Sequence, residues 1–263
     1  MTMAVMHWCE QPEIRPAGAT EFTPWFRADW RDVLFVHYAI DPALLQPHVP
    51  FPLDLYAGKA WVSLVAFTQH RMRPALGGPL AAALMRPVAR HEFLNLRTYV
   101  RANHRRAILF LAEWIPNRLA LLVGPLLYGL PFRLGKLDYR YHRRDVRASA
   151  AGLHLSATPS PGPAETATPD SLDAFLLERY TAFTSRFGRA RRFDIAHAPW
   201  TWRRAMVRVE DDSLIREAAP WFAAAQPVSA HASNGAFDVA ISGPRFVPCR
   251  RPADHCLSST LVF

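Results

Sequence analysis

The side chains best placed to do chemistry sit on one segment, His91–Arg101 (HEFLNLRTYVR). Read as a strand, it puts Glu92, Leu94, Leu96, Thr98 and Val100 on one face. His91, Phe93, Asn95, Arg97, Tyr99 and Arg101 fall on the other. Asn95, Arg97 and Tyr99 together form a polar wall able to hold an anionic or carbonyl group, because a guanidinium presents a planar fork of donors. The competing reading is an exposed polar sheet face, or Arg97 paired with a buried glutamate. Glu92 and Arg97 act in one cavity only if a bulge breaks the alternation. His37 shares a strand face with Val33 and Phe35, where a single histidine is either a hydrogen-bonded core residue or a proton carrier. The stretch Ile195–Trp202 (IAHAPWTW) sets His197 beside Trp200, as a pocket rim that stacks on a ligand or as an aromatic turn.

Several chemistries are excluded. The sequence contains no GxGxxG, no Walker A loop and no GxSxG elbow. His91–Glu92 begins like a zincin motif, but Asn95 stands where the second histidine belongs. His142–Asp145 (HRRD) lacks every other part of a kinase. Cys249, His255 and Cys256 lie close together near the C-terminus in a spacing that matches no common zinc motif. No metal and no cofactor is expected.

The elements that must position these residues are mostly strands. Val33–Ile40 and Ala60–Gln69 read as buried strands, with Asp41 capping a short helix through Leu45. Residues 71–90 read as a loop or lid with a helical turn at the alanines. His91–Arg101 and Ala107–Trp114 form the clearest hairpin. Asn117–Leu130 reads as a helix, Lys136–Arg147 and Leu153–Ala157 as two strands, and Ser171 as the cap of a helix over Leu172–Thr181. A hairpin around Gly188, a strand Thr201–Glu210, a turn Leu214–Glu217 and a last strand Phe237–Ile241 follow. Many strands without β-α alternation exclude a doubly wound sheet. The expected fold is α+β, an antiparallel β-barrel with a few helices packed outside. Residues 1–30 read as an irregular arm, 31–243 as a single barrel domain and 244–263 as a tail.

Composition narrows the partners. The net charge is +9 at pH 7, yet the arginines are spread in pairs along the chain, and lysine occurs only at Lys59 and Lys136. A dispersed cationic surface fits better than a nucleic-acid footprint, so nucleic acid is a disfavoured partner. Three sparse cysteines and the lack of a basic segment before an apolar one point to a cytoplasmic protein. Leu119–Phe132 is the one candidate membrane segment. It is interrupted by Pro125 and Pro131 and falls short of the ~20 residues that span a bilayer, so no membrane partner is expected. Nothing in the sequence bears on oligomeric state.

The chain resembles the YqjF-like family of uncharacterised bacterial proteins, related in fold to acetoacetate decarboxylase. The resemblance runs over residues 25–241 and is carried by LFVHYAIDPALLQPHVPFPLDLYAGKAWVSLVAF, HEFLNLRTYV, FLLERYTAF, IAHAPWTW and FDVAI in that order. It implies a barrel of acetoacetate decarboxylase-like type with the strand of Glu92 and Arg97 at its centre. It does not bring the decarboxylase's Schiff-base lysine. Neither Lys59, in a Gly58 turn, nor Lys136, after Gly135, lies in a matching motif. The turn after the central strand is usually glycine-rich in the family; here it reads Asn103–His104–Arg105–Arg106. Three functional readings follow. The first is a barrel that binds a small organic acid or carbonyl compound through Asn95, Arg97, Tyr99, His197 and Trp200. The second is an acid–base enzyme, lyase- or hydrolase-like, with Glu92 or His37 as proton carrier and Arg97 as electrostatic stabiliser. The third is a binder of anionic surfaces or nucleic acid.

Overall fold

The computed structural model describes residues 22–248 apart from 103, 142–144, 150 and 151. The three cysteines, the Cys249/His255/Cys256 cluster and residues 142–144 of the HRRD stretch therefore lie outside the described residues.

Two long strands open the fold: β1 (Pro24–Ile40) and β2 (Ala60–Pro74), joined through α1 (Pro42–Leu45). Asp41 caps α1 by accepting from the Ala43 amide at 2.8 Å, with Pro42 pre-set for the first turn. After α2 (Gly78–Leu84) come β3 (His91–Ala102), β4 (Arg105–Ile115), α3 (Arg118–Tyr128) and β5 (Phe132–Leu134). The next strands are β6 (Lys136–Arg140), β7 (Asp145–Ser149) and β8 (Leu153–Pro159). Then α4 (Leu172–Leu177), β9 (Thr181–Arg186), β10 (Arg189–Ala196) and β11 (Arg203–Asp211) lead to α5 (Ser213–Ala218), β12 (Pro227–Ser242) and β13 (Arg245–Val247).

The strands form one sheet in the order β13-β10-β9-β4-β3-β2-β1-β12-β11-β8-β7-β6, with β5 on β4 and an extra β10–β12 pairing that closes seven of them into a ring. The expected antiparallel barrel needs correction. The sheet is mixed, because β4 runs parallel to both β9 and β5. The reason is topological: α3 carries the chain over after β4 so that β5 enters in the same direction.

Other boundaries shift as well. Strand β1 starts at Pro24, inside the expected arm, because its backbone is paired on both sides from Phe26 onward. Proline is tolerated as the first residue of a strand. Strand β13 falls within the expected tail and pairs with β10. The single strand read over Lys136–Arg147 is two antiparallel strands, β6 and β7. The helix read over Leu172–Thr181 stops at Leu177, because Thr181–Arg186 is drawn into pairing with β10 and β4. Strand β12 is far longer than Phe237–Ile241. Its first half, PVSAHASNGA, has low strand propensity and is held by pairing with β1 and β11. Gly235 is required there. Its φ is +126°, and a Cβ at this position would lie 1.9 Å from the Trp30 carbonyl oxygen, so no side chain fits.

Each central strand divides its side chains between two apolar layers. Leu34, Val36, Leu64, Leu94, Leu96 and Leu109 fill one layer. Val33, Phe35, Val65, Phe67, Phe93 and Ile108 face the other, which is richer in aromatic rings. The second layer encloses the cavity described next. The β3–β4 hairpin keeps its register through Ala102↔Arg105 without a glycine, with His104 taking the left-handed conformation (φ 60°).

Candidate functional site

A cavity lies on the aromatic side of strands β1–β4 and is covered by α3 and by Met85 and Val88 just after α2. Its wall is mostly apolar; Trp30, Phe35, Phe67, Phe93, Phe110 and Trp200 are among its lining residues. Phe67 and Phe93 are cross-strand partners whose rings lie 5.1 Å apart and nearly parallel. Trp200 is held in place because its amide donates to Glu178 Oε1 at 3.0 Å, while Tyr180 donates to the other carboxylate oxygen.

Polar groups enter this wall from adjoining strands. Asn95 on β3 pairs in register with Val65 on β2 and with Glu113 on β4. The next inward position of β3 is Arg97, opposite Phe110. Strict alternation would put Phe110 and Glu113, three residues apart, on opposite faces. A register shift between Leu96 and Arg97 leaves Leu111 as the extra residue of a bulge, so both point into the cavity.

Three of these buried groups are incompletely bonded. Asn95 Oδ1 and Glu113 Oε2 have no hydrogen-bond partner among the described residues, and neither does Nη2 of Arg179. All three residues are at most 4% exposed, and all line the cavity. Burial pushes the Glu113 carboxyl up to about 8, so it is a neutral acid at neutral pH. Arg179 donates from Nε to the Phe175 carbonyl at 2.7 Å and from Nη1 to Asp54 at 2.8 Å. Burial lowers its pKa to about 10, against the support of Asp54, and it stays a cation. Asp54 also accepts from Arg101 at 3.0 Å and Arg106 at 2.9 Å, and these arginines hold its carboxyl below the usual range despite burial. Arg97 is held more loosely. Nη2 reaches the Leu176 carbonyl at 3.4 Å, Nε has no partner among the described residues, and the guanidinium lies over the Phe35 ring.

His197 lines the cavity too. Its Nδ1 bonds the Ala198 carbonyl at 2.7 Å, which makes Nε2 the acceptor nitrogen of a neutral ring. Burial holds its pKa down at about 4. The same cause brings cavity-lining His91 to about 4.

The residues singled out in the sequence thus separate into two groups. Asn95, Arg97, His197 and Trp200 line one cavity. Glu92 does not: it falls on the opposite face of β3, paired with Thr68, and the bulge that would bring it round lies on β4 instead. His37 and Tyr99 share the cavity's face but lie outside its lining, in a buried polar chain. Asp173 accepts from His231 Nε2 at 3.0 Å, so His231 Nδ1 accepts from His37 Nε2 at 3.0 Å. His37 Nδ1 is then left to accept from Ser63 at 2.6 Å, and Tyr99, whose hydroxyl lies beside that of Ser63, donates its one hydrogen to the Leu176 carbonyl at 2.9 Å. Burial keeps His37 well below its ordinary pKa and His231 at about 4, so both rings are neutral.

Sequence reasoning missed Glu113 and Arg179. Glu113 carried a signal, as the one acidic residue in the apolar strand AILFLAEW. Arg179 carried none, because Asp54, 125 residues away, defines its position. Lys59 and Lys136 are both exposed, and neither lines the cavity. Among the described residues there is no group of three or more His, Cys, Asp or Glu side chains able to hold a metal ion, and no helix is long and apolar enough to cross a membrane.

Residues 27–236 match the model of the DUF2071 family, described as an uncharacterized conserved protein. The chain is 31% identical over 199 residues to the uncharacterized protein YqjF of Bacillus subtilis (strain 168), covering 72% of this chain and 79% of that one. Acetoacetate decarboxylase from Legionella pneumophila superposes with a TM-score of 0.60 at 11% identity, over 94% of this chain and 98% of that one. The enduracididine biosynthesis enzyme MppR complexed with pyruvate superposes with a TM-score of 0.57 at 15% identity, over 88% and 94%. The structural likenesses show a shared fold.

Proposed function

Because the chain belongs to the DUF2071 family and has an acetoacetate decarboxylase-like, sheet-dominated α+β fold, we propose that it binds a small organic acid or carbonyl compound with an apolar body, without a Schiff-base lysine. The observation that carries this reading is the set of partnerless polar atoms on Asn95, Glu113 and Arg179, among the described residues, at the wall of an otherwise apolar cavity. An unmet buried polar atom costs about 1–3 kcal/mol, and a ligand that meets several recovers that cost. Arg179 and Arg97 supply donors for a carboxylate, Glu113 in its neutral form donates to a carbonyl oxygen, and the aromatic wall takes the apolar body. The pyruvate bound by MppR fits the same ligand class on a similar fold.

A second reading, acid–base catalysis in the same cavity, is favoured by one observation. Glu113 is a buried carboxyl whose proton is held near neutral pH, the property a general acid needs. It takes the proton-carrier role that the sequence offered to Glu92 and His37.

A thermal-shift screen of carboxylates and ketones tests the first reading. Hits are expected among acids with an aromatic or branched apolar body, and Arg97→Ala should weaken them about tenfold or more. Wild-type affinity in Arg97→Ala and in Arg179→Met would remove the anion site. Conversion of a hit by the wild type but not by Glu113→Gln would establish the second reading.

A further inference from the structure

We propose that the outer face of α2 and α3 docks on an anionic lipid bilayer, placing the mouth of the cavity against it. The inference rests on surface properties of these helices and stands whichever ligand the cavity takes.

Helix α3 is apolar on both sides. Ala120, Val123, Gly124 and Leu127 line the cavity, while Leu119, Leu122 and Leu126 recur at helical spacing on the side that faces away. Leu122 is 70% and Leu126 76% exposed, where a helix facing water carries polar residues. On α2, Leu80 and Leu84 stand one turn apart, 74% and 76% exposed. The start of α3 is tied to the turn that follows α2, because Asn117 Nδ2, at the cap of α3, donates to the Pro87 carbonyl at 2.6 Å.

Charge selects the occupant. Residues 70–91 and 114–137 include no aspartate or glutamate. Arg71 and Arg73 are paired with Asp29 and Asp238. Arg86, Arg90, Arg118 and Arg133 are exposed, and no ion pair joins them to a carboxylate among the described residues. A second copy of this face would set guanidinium against guanidinium. An anionic bilayer offers an acyl layer for the leucines and phosphates for the arginines, and the net charge of +9 favours approach. The lining residues most open to solvent, Val123 and Leu127, are on α3, so the mouth would meet the bilayer. Helix α3, too short to span a bilayer, is suited to lying on its surface through Leu119, Leu122 and Leu126.

The test is co-sedimentation of the full chain with vesicles of phosphatidylglycerol and phosphatidylcholine, compared with pure phosphatidylcholine vesicles, with light scattering of the lipid-free protein alongside. Binding to the anionic vesicles is expected to exceed that to the neutral ones by about tenfold and to fall in high salt. Leu122→Ser/Leu126→Ser and Leu80→Ser/Leu84→Ser, with unchanged melting temperatures, should each lose about tenfold. No binding to anionic vesicles overturns the proposal. So does undiminished binding by both folded variants, which would reduce the effect to dispersed charge. A wild-type dimer dissolved by the same substitutions would assign the face to a second copy instead.

Discussion

Asn95 and Glu113 face each other across the β3–β4 ladder, each with a buried oxygen that finds no hydrogen-bond partner among the described residues. Both oxygens border the same cavity, within reach of water or a polar ligand that enters it.

Glu113 should make stability fall as pH rises. Its folded pKa of about 8 lies above the ordinary value of 4.5, so between these limits the folded state holds a proton the unfolded state has lost. The stabilisation is complete below pH 4.5 and is lost as pH climbs through 8. Glu113→Gln, which mimics the neutral acid, should sit within about 1 kcal/mol of wild type near pH 5 and show a flatter profile above pH 6. Urea midpoints for the two proteins from pH 5 to 9 measure this; parallel profiles would contradict it.

The histidines act in the opposite direction. His91, His197 and His231 have folded pKa values of about 4, below the ordinary 6.5, and His37 is also depressed. Their contribution is full above pH 6.5 and is lost as pH falls toward 4, where the unfolded chain takes up protons the folded rings refuse. Stability should drop steeply across that window. His91→Gln should lessen the slope by about one proton, read from the pH dependence of the unfolding free energy.

Asp54 holds together a cluster in which Arg101, Arg106 and Arg179 would otherwise repel one another. Asp54→Asn should cost about 3–5 kcal/mol, because it strands the buried Arg179 cation. Arg106→Ala removes an exposed partner and should cost about 1 kcal/mol or less. Chemical denaturation of the two variants gives the comparison, and equal losses would show that Asp54 does not anchor Arg179.

Borohydride added with acetoacetate or pyruvate should trap no lysine adduct. A Schiff base needs an amine kept uncharged near neutral pH by a desolvated or cationic setting. Lys59 and Lys136 are exposed on the surface, away from the cavity lining. Mass spectrometry after reduction reads the outcome, and an adduct mapped to either lysine would reinstate amine catalysis for this chain.

The sequence by itself determined what depends on neighbours along the chain. Strand alternation grouped Asn95 with Arg97 and separated Glu92 from them, because side chains of a strand point alternately to its two faces. Asp41 and Ser171 announced helix starts, because a cap bonds amides two or three residues on. Tertiary structure alone decided the rest. The bulge at Leu111 turned Glu113 inward, and only pairing with β3 reveals it. His37 was settled as a member of a buried chain by His231, 194 residues away, and Arg179 was placed by Asp54. The parallel β4–β9 pair broke the expected antiparallel order through a connection whose path no local pattern specifies. Register, burial and long-range ion pairing depend on what packs from elsewhere in the chain, and these decide which of the polar side chains face the cavity.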